Sequence, residues 1–146
     1  MVTISGETII GRPVAEVFDF VADERNEPKF NHRISSVKLL TDGALGKGTR
    51  FAATSRTRGR EVDMMIEFTT YDRPRLLAST TTMSTSEIHG TLSFDAHPAG
   101  TRMRWSWDIH VNGAGRLFGP VIARIGRRQE QAIWASLKHY MEAAPG

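Results

Sequence analysis

The chain contains no cysteine. A disulfide scaffold, an iron–sulfur site and a thiolate nucleophile are excluded on that ground alone, and the cytoplasm is the expected compartment. Histidine is scarce and scattered. His32, His89, His97, His110 and His139 form no HxxxH or HxH pair, so zinc spacing is missing and neither metal nor other cofactor is expected. No apolar run approaches the roughly 18 residues of a membrane span, so no stable membrane insertion is expected. The first ten residues have neither the basic stretch nor the apolar stretch of a signal peptide. An excess of charge of one sign is lacking too: 19 basic residues against 16 acidic ones leave +3. The densest basic groups are Arg124, Arg127 and Arg128, then Arg56, Arg58 and Arg60. They read as solvated faces, and no nucleic-acid partner is expected. There is no GxSxG, and Gly46-x-Gly48 has neither the third glycine nor the following helix of a phosphate loop.

What is present suits one domain over residues 1–146, long enough to bury a core without cross-links. Val2 to Ile10 leans to β-structure. From Pro13 a helix begins, with Val14, Val17, Phe18 and Val21 on one face. A short second helix or turn is expected over Asn26 to Asn31. From Ile34 to Val111 the chain breaks into pieces of about ten residues, divided by turn signals such as Asp42-Gly43, Arg58-Gly59 and Pro98-Ala99-Gly100. Met103, Trp105, Trp107, Ile109 and Val111 alternate strictly with polar residues, which gives one buried and one wet face. Val62, Met64, Ile66 and Phe68 repeat the pattern, and Leu92 and Phe94 mark another inner face. After Gly113 and Gly115 a long helix is expected from about Leu117 to Glu142. Phe118, Ile122, Ile125, Ile133, Leu137 and Tyr140 would form its apolar stripe, and Gly126 a bend or close approach. Strands that run consecutively exclude a doubly wound parallel sheet and indicate an α+β domain, one antiparallel sheet packed on helices. One long helix covers a large sheet incompletely, so the sheet must curl around it and leave room for a cavity.

Several short stretches together resemble the START-like, or SRPBCC, superfamily. Ile10-Gly11-Arg12-Pro13-x-x-x-Val17-Phe18-x-x-Val21-x-Asp23 resembles its opening, with Arg12 where the family usually has alanine and Phe18 where it has tryptophan. Phe30, Gly46-x-Gly48-Thr49, Pro74-x-Leu76, Gly100-Thr101-Arg102-Met103-x-Trp105 and Leu137-Lys138-x-x-Met141-Glu142 follow in the family's order. The branch it looks most like is the polyketide cyclase/dehydrase group of small bacterial proteins. The resemblance implies a helix-grip fold: a seven-stranded antiparallel sheet curved around a long C-terminal helix, with two short helices between strands 1 and 2. It also implies a cavity for apolar ligands, but no single chemistry.

On that basis Phe51, Met64, Ile66, Phe68, Trp105, Trp107 and Ile109 are the expected ligand-binding residues from the sheet, and Phe20, Phe30, Phe118 and Ile122 those from the helices. The same residues would equally make a filled core. Inward polar candidates are few: Ser55, with Ser79 or Thr81, and Tyr71 and Arg50 at a mouth. Asp63, Glu67, His89 and the His110–Asp108 pair face outward by alternation, and no catalytic residue is assigned. The expected function is binding of an apolar or aromatic small molecule, lipid- or polyketide-like. Two alternatives stand beside it: a polyketide aromatase/cyclase or dehydrase using the same cavity, and a co-chaperone-like interaction module. The expected partners are that ligand and, at most, a second copy of the chain.

Overall fold

A computed structural model describes residues 1–113 and 119–144. The elements are β1 (Val2–Ile10), α1 (Val14–Ala22), a 3-10 helix (Glu24–Lys29), β2 (Ile34–Leu39), β3 (Arg50–Thr57), β4 (Arg60–Asp72), β5 (Leu76–Thr82), β6 (Ser86–His97), β7 (Gly100–Val111) and α2 (Gly119–Ala143). Strands β2 to β7 follow one another as antiparallel neighbours, and β1 adds beside β7, giving the order β1-β7-β6-β5-β4-β3-β2. The two helices between β1 and β2 therefore carry the chain from one sheet edge to the other.

Local chemistry sets the turns. Arg58 and Gly59 both have positive φ (52° and 78°), the backbone that a two-residue hairpin between β3 and β4 demands. Register shifts interrupt the β2–β3 ladder between Ile34 and Ser36 and the β4–β5 ladder between Phe68 and Thr70. Such bulges bend strands and raise the local twist, which curls the sheet toward its helices. Pro13 is the N-cap of α1 rather than its first helical residue. The 3-10 helix starts two residues before the expected Asn26, because the Asp23 side chain caps it by accepting from the Arg25 N–H at 3.1 Å.

The core lies between the concave face of the sheet and the helices. Val17, Phe18, Val21 and Ala22 of α1 are buried, and Phe18 meets the edges of Phe94 and Tyr71, each with ring centres 5.2 Å apart. From α2 the buried residues are Trp134, Leu137 and Met141. This corrects the expected stripe: Ile125 and Tyr140 are 53% and 39% exposed. Trp134, not Ile133, turns its full width inward, and that rotates the buried face. Gly126 is a close approach, since a Cβ there would stand 3.2 Å from Ile4 Cδ1 of β1.

The C-terminal half of α2 is stapled to the end of β1. The Gly11 N–H donates to Glu142 (2.7 Å), Lys138 Nζ donates to the Ile9 carbonyl (2.8 Å), and Lys138 pairs with Glu142 (2.6 Å). Arg12 Nε donates to the Met141 carbonyl at 2.9 Å, and its Nη2 to the Ala144 carbonyl. The guanidinium thus serves carbonyls at the end of the helix, where a positive charge is favoured. The Glu142 carboxyl is held below its ordinary pKa, first by Lys138 and then by the Gly11 N–H.

Candidate functional site

Two glycines on the sheet prepare the site. Gly90 pairs with Trp107 across β6 and β7, and Gly6 pairs with Trp105 across β1 and β7. A Cβ on either glycine would collide with the indole facing it. Each large ring therefore lies flat over a neighbouring strand's glycine instead of standing off the sheet.

Beside Trp107 the sheet and α2 separate, leaving a pocket of about 280 Å³. Its sheet side includes Met64, Ile66, Leu77, Leu92, Gly90 and Trp107, and its helix side Phe30, Ile133 and Trp134. The aromatic rings form a chain: Trp107 and Trp134 have centres 6.4 Å apart, and Trp134 and Phe30 6.0 Å. Ser55, Ser79 and Thr81 add hydroxyls from β3 and β5.

Of the residues expected at a ligand site, the structure brings Phe30, Met64, Ile66 and Trp107 together at this pocket. Phe51, Phe68 and Trp105 do not line it: they are at most 2% exposed and sit in the packed core, with Phe51 edge-on to Phe68 at 5.6 Å. They share the inward face of the strands, but they pack against other core side chains and not around this pocket. Phe20 does not line it either. It is stacked on Tyr140 at 5.4 Å, toward the end of α2. Ile109 packs against the core near the β1 edge, and Ile122 is half-buried near the start of α2; neither lines the pocket. Phe118 falls outside the described residues. Tyr71 is edge-on to Phe18, and Arg50 is paired with Glu67 at 2.7 Å, so neither reaches the pocket. His89, His110 and Asp63 are exposed, and Glu67 faces out with its arginine.

Charged groups are the larger departure from the sequence reading. Glu24 and Glu27 of the 3-10 helix, Arg33 after it and Glu130 of α2 all line the pocket. Among the described residues none of the three carboxylates has an ion-pair partner. Glu27 is oriented by the Asn31 side-chain amide, which donates to it at 3.0 Å, and Asn31 itself is buried. Glu24 and Glu130 keep some exposed surface, yet protein atoms crowd around both carboxyls. Loss of solvation therefore governs both. It raises the Glu24 carboxyl well above its ordinary pKa, and repulsion from Glu27 adds to the rise. Burial likewise pushes Glu130 up to about 7, against opposing pulls from the indoles of Trp107 and Trp134 and from Arg33. Both indole N–H groups are buried and have no well-formed hydrogen bond, although they lie near enough to act on that carboxylate.

A signal for Glu130 exists in the sequence. Glu130, Trp134, Leu137 and Met141 stand at i, i+4, i+7 and i+11, one helical face. A carboxylate in line with three buried apolar residues is out of place unless it has a use.

The sheet order, its curvature and the long terminal helix define the START-like helix-grip class. A family model described as "Polyketide cyclase / dehydrase and lipid transport" matches residues 1–142, and the chain belongs to that family. Similar solved structures include TTHA0849 from Thermus thermophilus (16% identity, 99% of each chain covered, TM-score 0.83). A START superfamily protein from Mycobacterium smegmatis is similar at 12% identity, with 96% of this chain and 97% of that one covered and a TM-score of 0.83. The Zhui aromatase/cyclase from Streptomyces sp. R1128 is similar at 14% identity, covering 96% and 93%, with a TM-score of 0.79. At these identities the likeness is one of fold. No curated protein matches the sequence.

Proposed function

We propose that the protein binds an apolar or aromatic small molecule in the pocket between the sheet and α2. The observation that carries this reading is the ring-lined void itself. Trp107, Trp134 and Phe30 present consecutive flat faces around about 280 Å³ of space, beside the packed side chains of Phe51 and Phe68. That volume is near the lower end of small-molecule sites, roughly 300–1,000 Å³, and suits a ring system or short chain better than a two-chain lipid. Titration with fatty acids, polycyclic aromatics and polyketide-like phenols, followed by calorimetry and native mass spectrometry, tests it. At least one class should bind with one-to-one stoichiometry, and a Trp107→Ala variant should bind it more weakly. A folded protein that takes up none of them would sink the reading.

A second reading, catalysis in the same pocket, is favoured by Glu130. A carboxyl titrating at about 7 in an apolar setting can give or take a proton at neutral pH. If it does, Glu130→Gln should retain ligand and lose turnover of a poly-ketone substrate. Undiminished turnover in that variant would exclude the role.

A further inference from the structure

The chain carries a net charge of +3, yet the ionisable groups around its pocket are three carboxyls and one guanidinium. The surplus negative charge is local and has no ion-pair partner among the described residues. The carboxyls do not converge as metal ligands: among the described residues no three His, Cys, Asp or Glu are grouped to hold a metal ion. Beside them two buried donors are turned toward Glu130. Trp134 is 7% exposed and lines the pocket, and its indole Nε1–H has no hydrogen-bond partner; the Trp107 Nε1–H is in the same condition.

We propose that the pocket's ligand carries a cationic nitrogen: an amine whose apolar or aromatic body lies along Trp107 and Trp134 and whose ammonium is held by Glu130, with Glu24 and Glu27 behind it. The inference rests on the small-molecule reading above and names the class of that molecule. A cation close to Glu130 offsets the burial cost of its charge and keeps it ionised. An ionised Glu130 is in turn the acceptor that both indole N–H groups lack. The indole faces add attraction for the same charge, strengthened by exclusion of water. A neutral carbonyl would offset neither the burial cost of Glu24 and Glu130 nor the repulsion that Glu27 exerts on both. An anionic head would add to that repulsion, and Arg33 alone does not outweigh it.

The test compares naphthylethylamine, naphthylethanol and naphthylacetate by calorimetry on the wild-type protein. Near pH 8 the amine should bind about tenfold more tightly than the alcohol, as expected of a charge-assisted hydrogen bond, and the carboxylate should bind most weakly. Lowering the pH to about 5.5 should weaken the amine as Glu130 takes up its proton, while the alcohol stays unchanged. The charged groups acting on Glu130 are Glu27 and Arg33, with Glu24 lining the same pocket. Glu130→Gln should remove the preference for the amine and keep the binding of the alcohol. The Glu24→Gln, Glu27→Gln double variant should reduce the preference in part. Equal affinity of amine and alcohol in the wild type overturns the proposal while leaving a binding pocket in place. So does a preference that survives in Glu130→Gln. If none of the three probes binds, and the wider panel above also fails, the binding reading falls and takes this one with it. If only the wider panel binds, the cationic class alone is refuted.

Discussion

Replacing Glu130 with glutamine should make the protein more stable, and by an amount that depends on pH. Glu130 titrates at about 7 in the folded chain, against an ordinary value of 4.5. Its folded pKa is raised, so the folded state holds the proton more tightly than the unfolded state does. Below about pH 4.5 both states are protonated and the residue costs nothing. Between 4.5 and 7 folding requires either uptake of a proton or burial of a charge, and stability falls by up to 1.4 kcal/mol for each pH step. Above 7 the cost is complete, about 3 kcal/mol at most, since the pocket-facing surface of the carboxylate is in part wetted. Glutamine keeps the shape and still offers the two indoles a carbonyl acceptor, without the charge. The variant should match the wild type near pH 4.5 and exceed it near pH 8 by about 2–3 kcal/mol, or roughly 5–10 °C in Tm for a domain of this size. Urea unfolding followed by circular dichroism at several pH values reads the difference directly, and titrations elsewhere in the chain cancel in it. A difference between variant and wild type that is the same at both ends of the pH range would refute the assignment of a buried, high-pKa carboxyl.

Two further outcomes follow from packing. Leu137→Ala empties a fully buried position of α2 and should cost about 2–5 kcal/mol in urea unfolding, whereas Ile125→Ala, at 53% exposure, should change stability by no more than about 0.5 kcal/mol. Equal costs would mean that the buried face of the helix has been placed wrongly. Gly90→Ala forces the Trp107 ring off β6 and should cost about 1–3 kcal/mol while weakening any ligand that lies on that ring. A variant as stable as the wild type and with unchanged binding would contradict the close approach.

The strands were legible because their alternation is local. Trp105 and Trp107 announce an inner face by spacing alone, and Arg58-Gly59 announces its hairpin by chemistry. The phase of α2 was not, because a helix of 25 residues offers several apolar stripes and the choice among them is made by the partner surface. Gly126 against Ile4 and the width of Trp134 decide it, and both are tertiary facts. The site was hidden for a related reason. Glu24 and Glu27 lie in a short polar segment that reads as a solvated turn, and only the sheet beneath shows that one side of it faces a pocket. The likeness of Trp105 and Trp107 in sequence also conceals their difference in place: one ring is sealed in the core, and the next along the same strand face borders the void.

The staple between α2 and β1 turns the helix into a lever with a fixed pivot. Gly11, Arg12 and Ile9 grip the last two turns through Glu142, Met141 and Lys138. Glu130 lies twelve residues from Glu142, about 18 Å along the axis. A tilt of about 5° at the pivot would shift Glu130 by roughly 1.5 Å while hardly moving Met141, which sits beside it. The arm carries Glu130 past the pocket and meets β1 again where Gly126 lies against Ile4, so that contact sets how far a larger guest can push the helix.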